Sequence, residues 1–201
     1  MIVNEKLYDS NFFSRYFNDK KYLNDHKVLA KAVKKIFSPS YVIDIGCGSG
    51  QILYHLKNKF QIEVKGFEGS KCASVFWMDE VKDSIEIADC SVNLPDPSKK
   101  ADVVICLEVA EHIPTEGSDA LVENITKYSS NHVVFSAAPP GQGGKNKSHI
   151  NEQPWKFWKT KFKAHNFSLN EKLNNAFHVL INQRIMCPWY INNTRILSHD
   201  I

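Results

Sequence analysis

The 201-residue sequence has no apolar run approaching the ~18 residues that a membrane-spanning helix needs, so a membrane partner is not expected. It opens MIVNEKLYDSNFF, without a basic stretch leading into an apolar core, so no secretory leader is expected either. There are five cysteines, an odd number, and no pair has CxxC spacing. That argues against a disulfide framework or a cysteine-ligated zinc, and for a reducing, cytoplasmic setting. Internal repeats and low-complexity segments are missing. Strong charge is missing too: the formal net charge is +3, far short of the dense basic stripe of a dedicated nucleic-acid binder. Lysines at 20–21, 34–35, 99–100 and 156–163 read as solvated faces.

What is present suits one domain of ordinary size. Apolar residues make up 43%, enough for a core, and charged residues 23%, too few for a disordered chain. Residues 1–40 read as an aromatic-rich lead (Tyr8, Phe12, Phe13, Tyr16, Phe17) followed by an amphipathic helix over 24–37, capped by Asn24 or Asp25. Tyr8, Phe12 and Tyr16 suit either a lid over a ligand or packing at the sheet edge. From 41 to 136 short apolar runs alternate with helical spacing. Strands are expected at 41–45, 62–67, 85–88, 102–107 and 132–136, with helices at 51–59, 71–78 and 115–128. That alternation predicts an α/β fold with a largely parallel, Rossmann-like sheet covered by helices on both faces. Residues 137–201 read as a Gly/Pro loop to 148 and a helix opening near Pro154, with Trp155, Trp158 and Phe162 on its core face. A closing hairpin of strands 167–173 and 177–185 follows, turning at Asn174–Asn175. Five strands plus that hairpin give seven, the last one antiparallel.

The segment Val42-Ile43-Asp44-Ile45-Gly46-Cys47-Gly48-Ser49-Gly50 ends a strand and opens a helix. Glycines there let the backbone approach a ligand, and the helix start offers free N–H groups. The third glycine follows after one residue rather than two, so the GxGxxG of a dinucleotide site is not met. A carboxylate two residues before the first glycine is awkward beside a diphosphate and suits an ammonium group.

Residues Asp44 to Gly50 resemble the first motif, (D/E)xGxGxG, of the class I S-adenosylmethionine-dependent methyltransferases. The resemblance extends over about 41–136 and implies S-adenosylmethionine as cofactor. It implies that Asp44, Gly46, Cys47, Gly48 and Gly50 shape its amino-acid end. Glu68, at the second strand's end, would take the ribose hydroxyls. Asp89 would hold the adenine amino group, with Cys90 against the ring. Leu107 and Glu108 would flank the methionine part and the transferable methyl.

Past the fourth strand comes Glu108-Val109-Ala110-Glu111-His112. Two carboxylates and an imidazole within five residues, on one side of a helical turn, could ligate Mg²⁺ or another divalent ion. The ExxEH stretch is similar to the metal-binding stretch of small-RNA 2′-O-methyltransferases and to that of ubiquinone-biosynthesis O-methyltransferases. In the RNA enzymes a later histidine completes the site; here the candidate is His149, though the surrounding sequence differs. The metal set implied is Glu108, Glu111, His112 and His149. Without a metal, Glu111, His112 and His149 are the candidate catalytic acids and bases, since methyl transfer to a hydroxyl or amine must dispose of a proton.

Three functions fit. The first is methylation of a hydroxyl or amine on a small molecule, with a sugar among the candidates. The second is RNA 2′-O-methylation, and the third a cofactor-binding partner subunit without activity. A nicotinamide dehydrogenase fits less well, because of the glycine spacing.

Overall fold

Tyr41–Ile45 (β1) is apolar on both faces except for Asp44, and all five side chains are buried. Such a strand must sit inside a sheet with both faces covered. The computed structural model, which describes residues 8–145 and 147–200, places it there. Glu63–Glu68 (β2) and Ala101–Leu107 (β4) pair with β1 in parallel on either side. Ile85–Ile87 (β3) lies outside β2, and Ser129–Ser136 (β5) pairs in parallel with β4. Phe167–Leu169 (β6) and Arg195–His199 (β7) complete seven strands in the order β3-β2-β1-β4-β5-β7-β6, with β7 antiparallel to both neighbours. The expected mixed α/β sheet is therefore present. Chain order reverses between β1 and β4, and at such a switch point the strand tips leave a crevice for a ligand.

Alternating side chains send β1 and β4 into two cores. Val42, Val103 and Ile105 pack with Leu29, Leu53, Phe177 and Ile181 on one face. Ile43, Val104 and Cys106 pack with Leu121, Ile125, Trp158 and Phe162 on the other. The first face is covered by Lys20–Phe37 (α2), Gln51–Tyr54 (α3, prolonged by a π-turn at His55–Lys59) and Glu171–Ile181 (α7). The second is covered by Ser118–Tyr128 (α5) and Trp155–Ala164 (α6). Trp158 and Phe162 are thus core residues, as their spacing suggested.

The aromatic lead is helical: Ser10–Asn18 (α1) is capped by the Asp9 carboxylate, which accepts from the Phe12 amide. Two expectations are corrected. Helix α2 starts earlier than expected, capped by Asp19. Asp25 lies inside it, fully buried, and accepts the amides of Met186 and Cys187 at 2.8 Å each. The hairpin over 167–185 does not form. Only Phe167–Leu169 is strand; the Asn170 side chain then accepts from the Leu173 amide and starts α7. Leu173, Phe177 and Ile181 recur every four residues, and that helical stripe buries two of them completely. Truncating a buried phenylalanine such as Phe177 typically costs about 3–5 kcal/mol, which outweighs any turn preference of Asn174–Asn175. The short helices Asp79–Lys82 (α4) and Pro188–Asn193 (α8) complete the fold, together with 3-10 turns at Lys71–Phe76, Ala110–His112 and Thr115–Gly117. No helix among the described residues is long and apolar enough to cross a membrane.

Candidate active site

A cavity of about 590 Å³ opens at the tips of β1, β2 and β4, under α1, α2 and α8. Its floor at one end is the glycine bend. The amides of Gly46 and Cys47 both donate to the Phe67 carbonyl, at 2.8 and 3.1 Å, which ties the bend to β2. Gly48 has φ +54, and a Cβ there would have nothing closer than the Phe13 ring at 3.9 Å. The backbone at Gly48 is therefore bare toward the cavity. Gly50 does not line the cavity. It caps α3 at φ +71, where a Cβ would meet Ile85 at 2.8 Å, so its part is to turn the chain.

Asp44, Glu68 and Asp89 all line this end, as do Cys47, Cys90 and Leu107. Glu68 accepts the Gly48 amide at 2.7 Å on one oxygen and the Ser70 amide at 2.8 Å on the other. Burial nonetheless pushes its carboxyl above the usual range. Asp44 is pushed up to about 8, first by burial and then by the nearby Glu68 charge. Burial likewise raises the Cys47 and Cys90 thiols, so neither is a nucleophile at neutral pH. At Asp89 burial opposes ionisation, but the Ser91 hydroxyl and amide win and hold the carboxyl low. Trp77 was not anticipated from sequence; its Nε1–H donates to the Gly48 carbonyl at 2.9 Å and braces the bend.

The other end is built past β4. Glu108 has φ +54, a left-handed conformation unusual for a non-glycine residue and common at functional sites. Its amide donates to the Ser136 carbonyl and hydroxyl. Its carboxylate accepts from Asn193 at 3.1 Å and Gln142 at 3.2 Å, neither of which the sequence singled out. Glu111 is 1% exposed, and neither carboxylate oxygen has a hydrogen-bond partner among the described residues. Burial, then the Glu108 charge, raise its carboxyl well above the usual range. Burial lowers His112 to about 4, so that ring is neutral.

The loop 137–153 brings His149 to this point. The Glu111 carbonyl accepts the Ile150 and Asn151 amides at 2.9 and 3.0 Å. His112 Nδ1 donates to the Ser148 carbonyl at 3.0 Å, and the His112 and His149 rings meet edge to face at 4.9 Å. Glu111, His112 and His149 each offer one ligand atom, all within 4.8 Å of one another. Three of the four expected metal ligands thus converge, while Glu108 lies outside the trio with its oxygens bound to amides. A buried carboxyl group without a hydrogen-bond donor, beside two imidazole nitrogens, is a donor set that fits a divalent ion.

Aromatic rings roof the cavity: Tyr8, Phe12 and Tyr16 from the lead, Tyr22 from α2, and Trp189 and Tyr190 from α8. Tyr8 stands edge-on to His112 at 5.5 Å. The lead thus lines the crevice with Tyr8, Phe12 and Tyr16 while Phe17 packs on Phe76 beside β2. Among the described residues no lysine or arginine lines the cavity.

A family model described as a methyltransferase domain matches residues 15–178. Among solved structures, magnesium protoporphyrin IX methyltransferase from Synechocystis PCC 6803, with bound S-adenosylhomocysteine, superposes with a TM-score of 0.66 at 16% identity, over 98% of each chain. A sugar N-methyltransferase from Streptoalloteichus sp ATCC 53650 superposes with a TM-score of 0.68 at 13% identity, over 95% of this chain and 92% of that one. A [4+2]-cyclase also does so, with a TM-score of 0.61 at 11% identity, over 87% and 81%. At these identities the likeness is one of fold, and the cyclase illustrates that one fold carries several chemistries. No curated protein matches the chain significantly.

Proposed function

The chain belongs to the class I S-adenosylmethionine-dependent methyltransferases, and we propose that it methylates a hydroxyl or amine of a small molecule in the cavity at the strand tips. One observation carries this reading: a single cavity joins the glycine bend to the trio Glu111, His112 and His149. S-adenosylmethionine supplies an electrophilic methyl on sulfonium, open to in-line displacement. The chain's part is to bind, to align and to take a proton.

Asp44 lies below the bare Gly48 backbone, where a carboxylate suits the cofactor's ammonium group. Glu68 keeps lone pairs for ribose hydroxyls while its amide contacts hold it still. Asp89 and Cys90 flank the place for adenine, and Leu107 and Glu108 the place for the methionine chain. His112 and His149 each have Nδ1 engaged, to a carbonyl and to the Glu152 carboxylate, which leaves the Nε2 lone pairs free; burial makes His112 the poorer base, so His149 is the one to accept the acceptor's proton.

The donor set Glu111, His112 and His149 also supports a second reading, in which these residues hold a divalent ion. Bound there, such an ion would lower the pKa of an acceptor hydroxyl. That no lysine or arginine among the described residues lines the cavity favours a small neutral or amine-bearing acceptor, a sugar included, over an RNA phosphate backbone. The lysines of α6 do not change this. None lines the cavity, and Lys161 and Lys163 pair with Asp119 and Asp200.

A methyl-transfer assay with a panel of sugars, alcohols and amines, run with and without chelator, tests these points. Turnover on a small acceptor is expected. Chelator-sensitive turnover restored by Mg²⁺ or Mn²⁺ supports the ion, and full activity in chelator removes it. Turnover on RNA alone, falling steeply with salt, would overturn the small-molecule reading.

A further inference from the structure

Glu152 lies outside the trio and does not line the cavity, yet three contacts converge on it. Its Oε2 accepts the Gly141 amide at 2.6 Å. Its Oε1 accepts the Gly143 amide and lies 2.8 Å from His149 Nδ1. The loop is shaped for this. A Cβ at Gly143 would sit 2.6 Å from the His149 ring and 2.7 Å from Glu152 Oε1, so only glycine lets the backbone lie across the pair. Gly141 and Gly144, at φ +90 and +56, bend the loop on either side. Gln142, between the two amide donors, reaches the other way to Glu108 and Asn193.

Both carboxylate oxygens are already acceptors, one for the Gly141 amide and one for the Gly143 amide, so Glu152 meets the ring as an acceptor as well. Nδ1 must then carry the ring proton, and the lone pair of the neutral imidazole falls on Nε2. Partners of this kind fix both the tautomer and the orientation of a functional histidine.

We propose that Glu152 is the positioning residue of the acceptor site: clamped by the Gly141 and Gly143 amides, it locks His149 in the Nδ1–H tautomer and presents Nε2 to the substrate. The inference rests on the reading of His149 as a proton acceptor or ligand, but the tautomer is measurable without any acceptor.

The test is a long-range ¹H–¹⁵N spectrum of the histidine rings of the whole protein at alkaline pH, where imidazoles are neutral. His149→Ala identifies the signal. Wild type is expected to show the Nδ1–H form for His149. Glu152→Ala should lose it toward the ordinarily preferred Nε2–H form. Glu152→Gln, whose carbonyl oxygen can still accept, should keep it. In turnover, Glu152→Ala should fall about 10–100-fold and Glu152→Gln recover most of that loss, with S-adenosylhomocysteine affinity within about twofold of wild type in both. An unchanged tautomer in Glu152→Ala would overturn the proposal. So would a fall in cofactor affinity equal to the fall in turnover, since the residue would then be holding the fold alone. Full activity of His149→Ala would instead strike the underlying reading while leaving the tautomer result standing.

Discussion

The two ends of the cavity are built in different ways. The cofactor end comes from one continuous stretch, Asp44 to Ser49, plus residues at the next two strand tips. Its geometry is set by the sheet: β1 is buried along its length, and the bend is tied to the neighbouring strand through Phe67. The acceptor end is assembled from four separate segments: the turn at Ala110–His112, the loop 137–153, α8, and the lead. Its contacts span long stretches of chain, as with Asn193 and Glu108, 85 residues apart. The tips of central strands dictate the first end, whereas loops that can vary without harming the sheet dictate the second. Common cofactor use and divergent substrates follow from that division.

If the division holds, damage at one end should leave the other intact. The largest effect is expected from Gly48→Val. A β-branched side chain at φ +54 is strained and would fill the open space over the bend. S-adenosylhomocysteine affinity should fall at least about 100-fold by calorimetry, while circular dichroism remains that of the wild type. Near-wild-type affinity would break the comparison.

His149→Ala is expected to be the mirror image. Turnover should fall about 100-fold or more, with cofactor affinity unchanged. An equal fall in both would show that the loop supports the fold rather than the chemistry.

A subtler difference concerns Asp44. Its carboxyl is raised to about 8 in the cofactor-free chain, against an ordinary value of 3.8. Between those values the folded state holds a proton that the unfolded state has lost, so this group lowers stability as pH rises. Asp44→Asn should therefore stabilise the cofactor-free protein more at pH 8 than at pH 5, seen as a growing difference in Tm. A difference independent of pH would mean that Asp44 is ionised without a ligand.

The smallest effect belongs to Trp77→Phe, which removes only the hydrogen bond to Gly48. Its loss should cost about 1 kcal/mol, a severalfold weakening of cofactor binding with turnover at saturation unchanged.

The same division explains what could be read from the sequence. The glycine stretch, the acids at the strand tips and the five parallel strands were legible because each is local: a period of two, a glycine cluster, an acid directly after an apolar run. Glu111 and His112 were legible for the same reason, and His149 through its place in a Gly/Pro loop. The segment after Phe167 was misread because Asn174–Asn175 resembles a turn, whereas the four-residue spacing of Leu173, Phe177 and Ile181 carried the truer signal. Strand β7 and helix α8 went unassigned. Trp77, Gln142, Asn193, Trp189 and Tyr190 carried no local mark. Trp189, Tyr190 and Asn193 enter the site because α8 leads into β7, which runs back through the sheet beside β5, while Trp77 reaches it from the end of the Lys71–Phe76 turn and Gln142 from the loop 137–153. No spacing rule encodes contacts of that kind.

The most direct measurement is an equilibrium titration of the whole chain with S-adenosylhomocysteine and, separately, with NAD. The glycine bend as described should give saturable one-site binding of S-adenosylhomocysteine and none of NAD. Binding of NAD alone, or of neither compound, would contradict the account at its base.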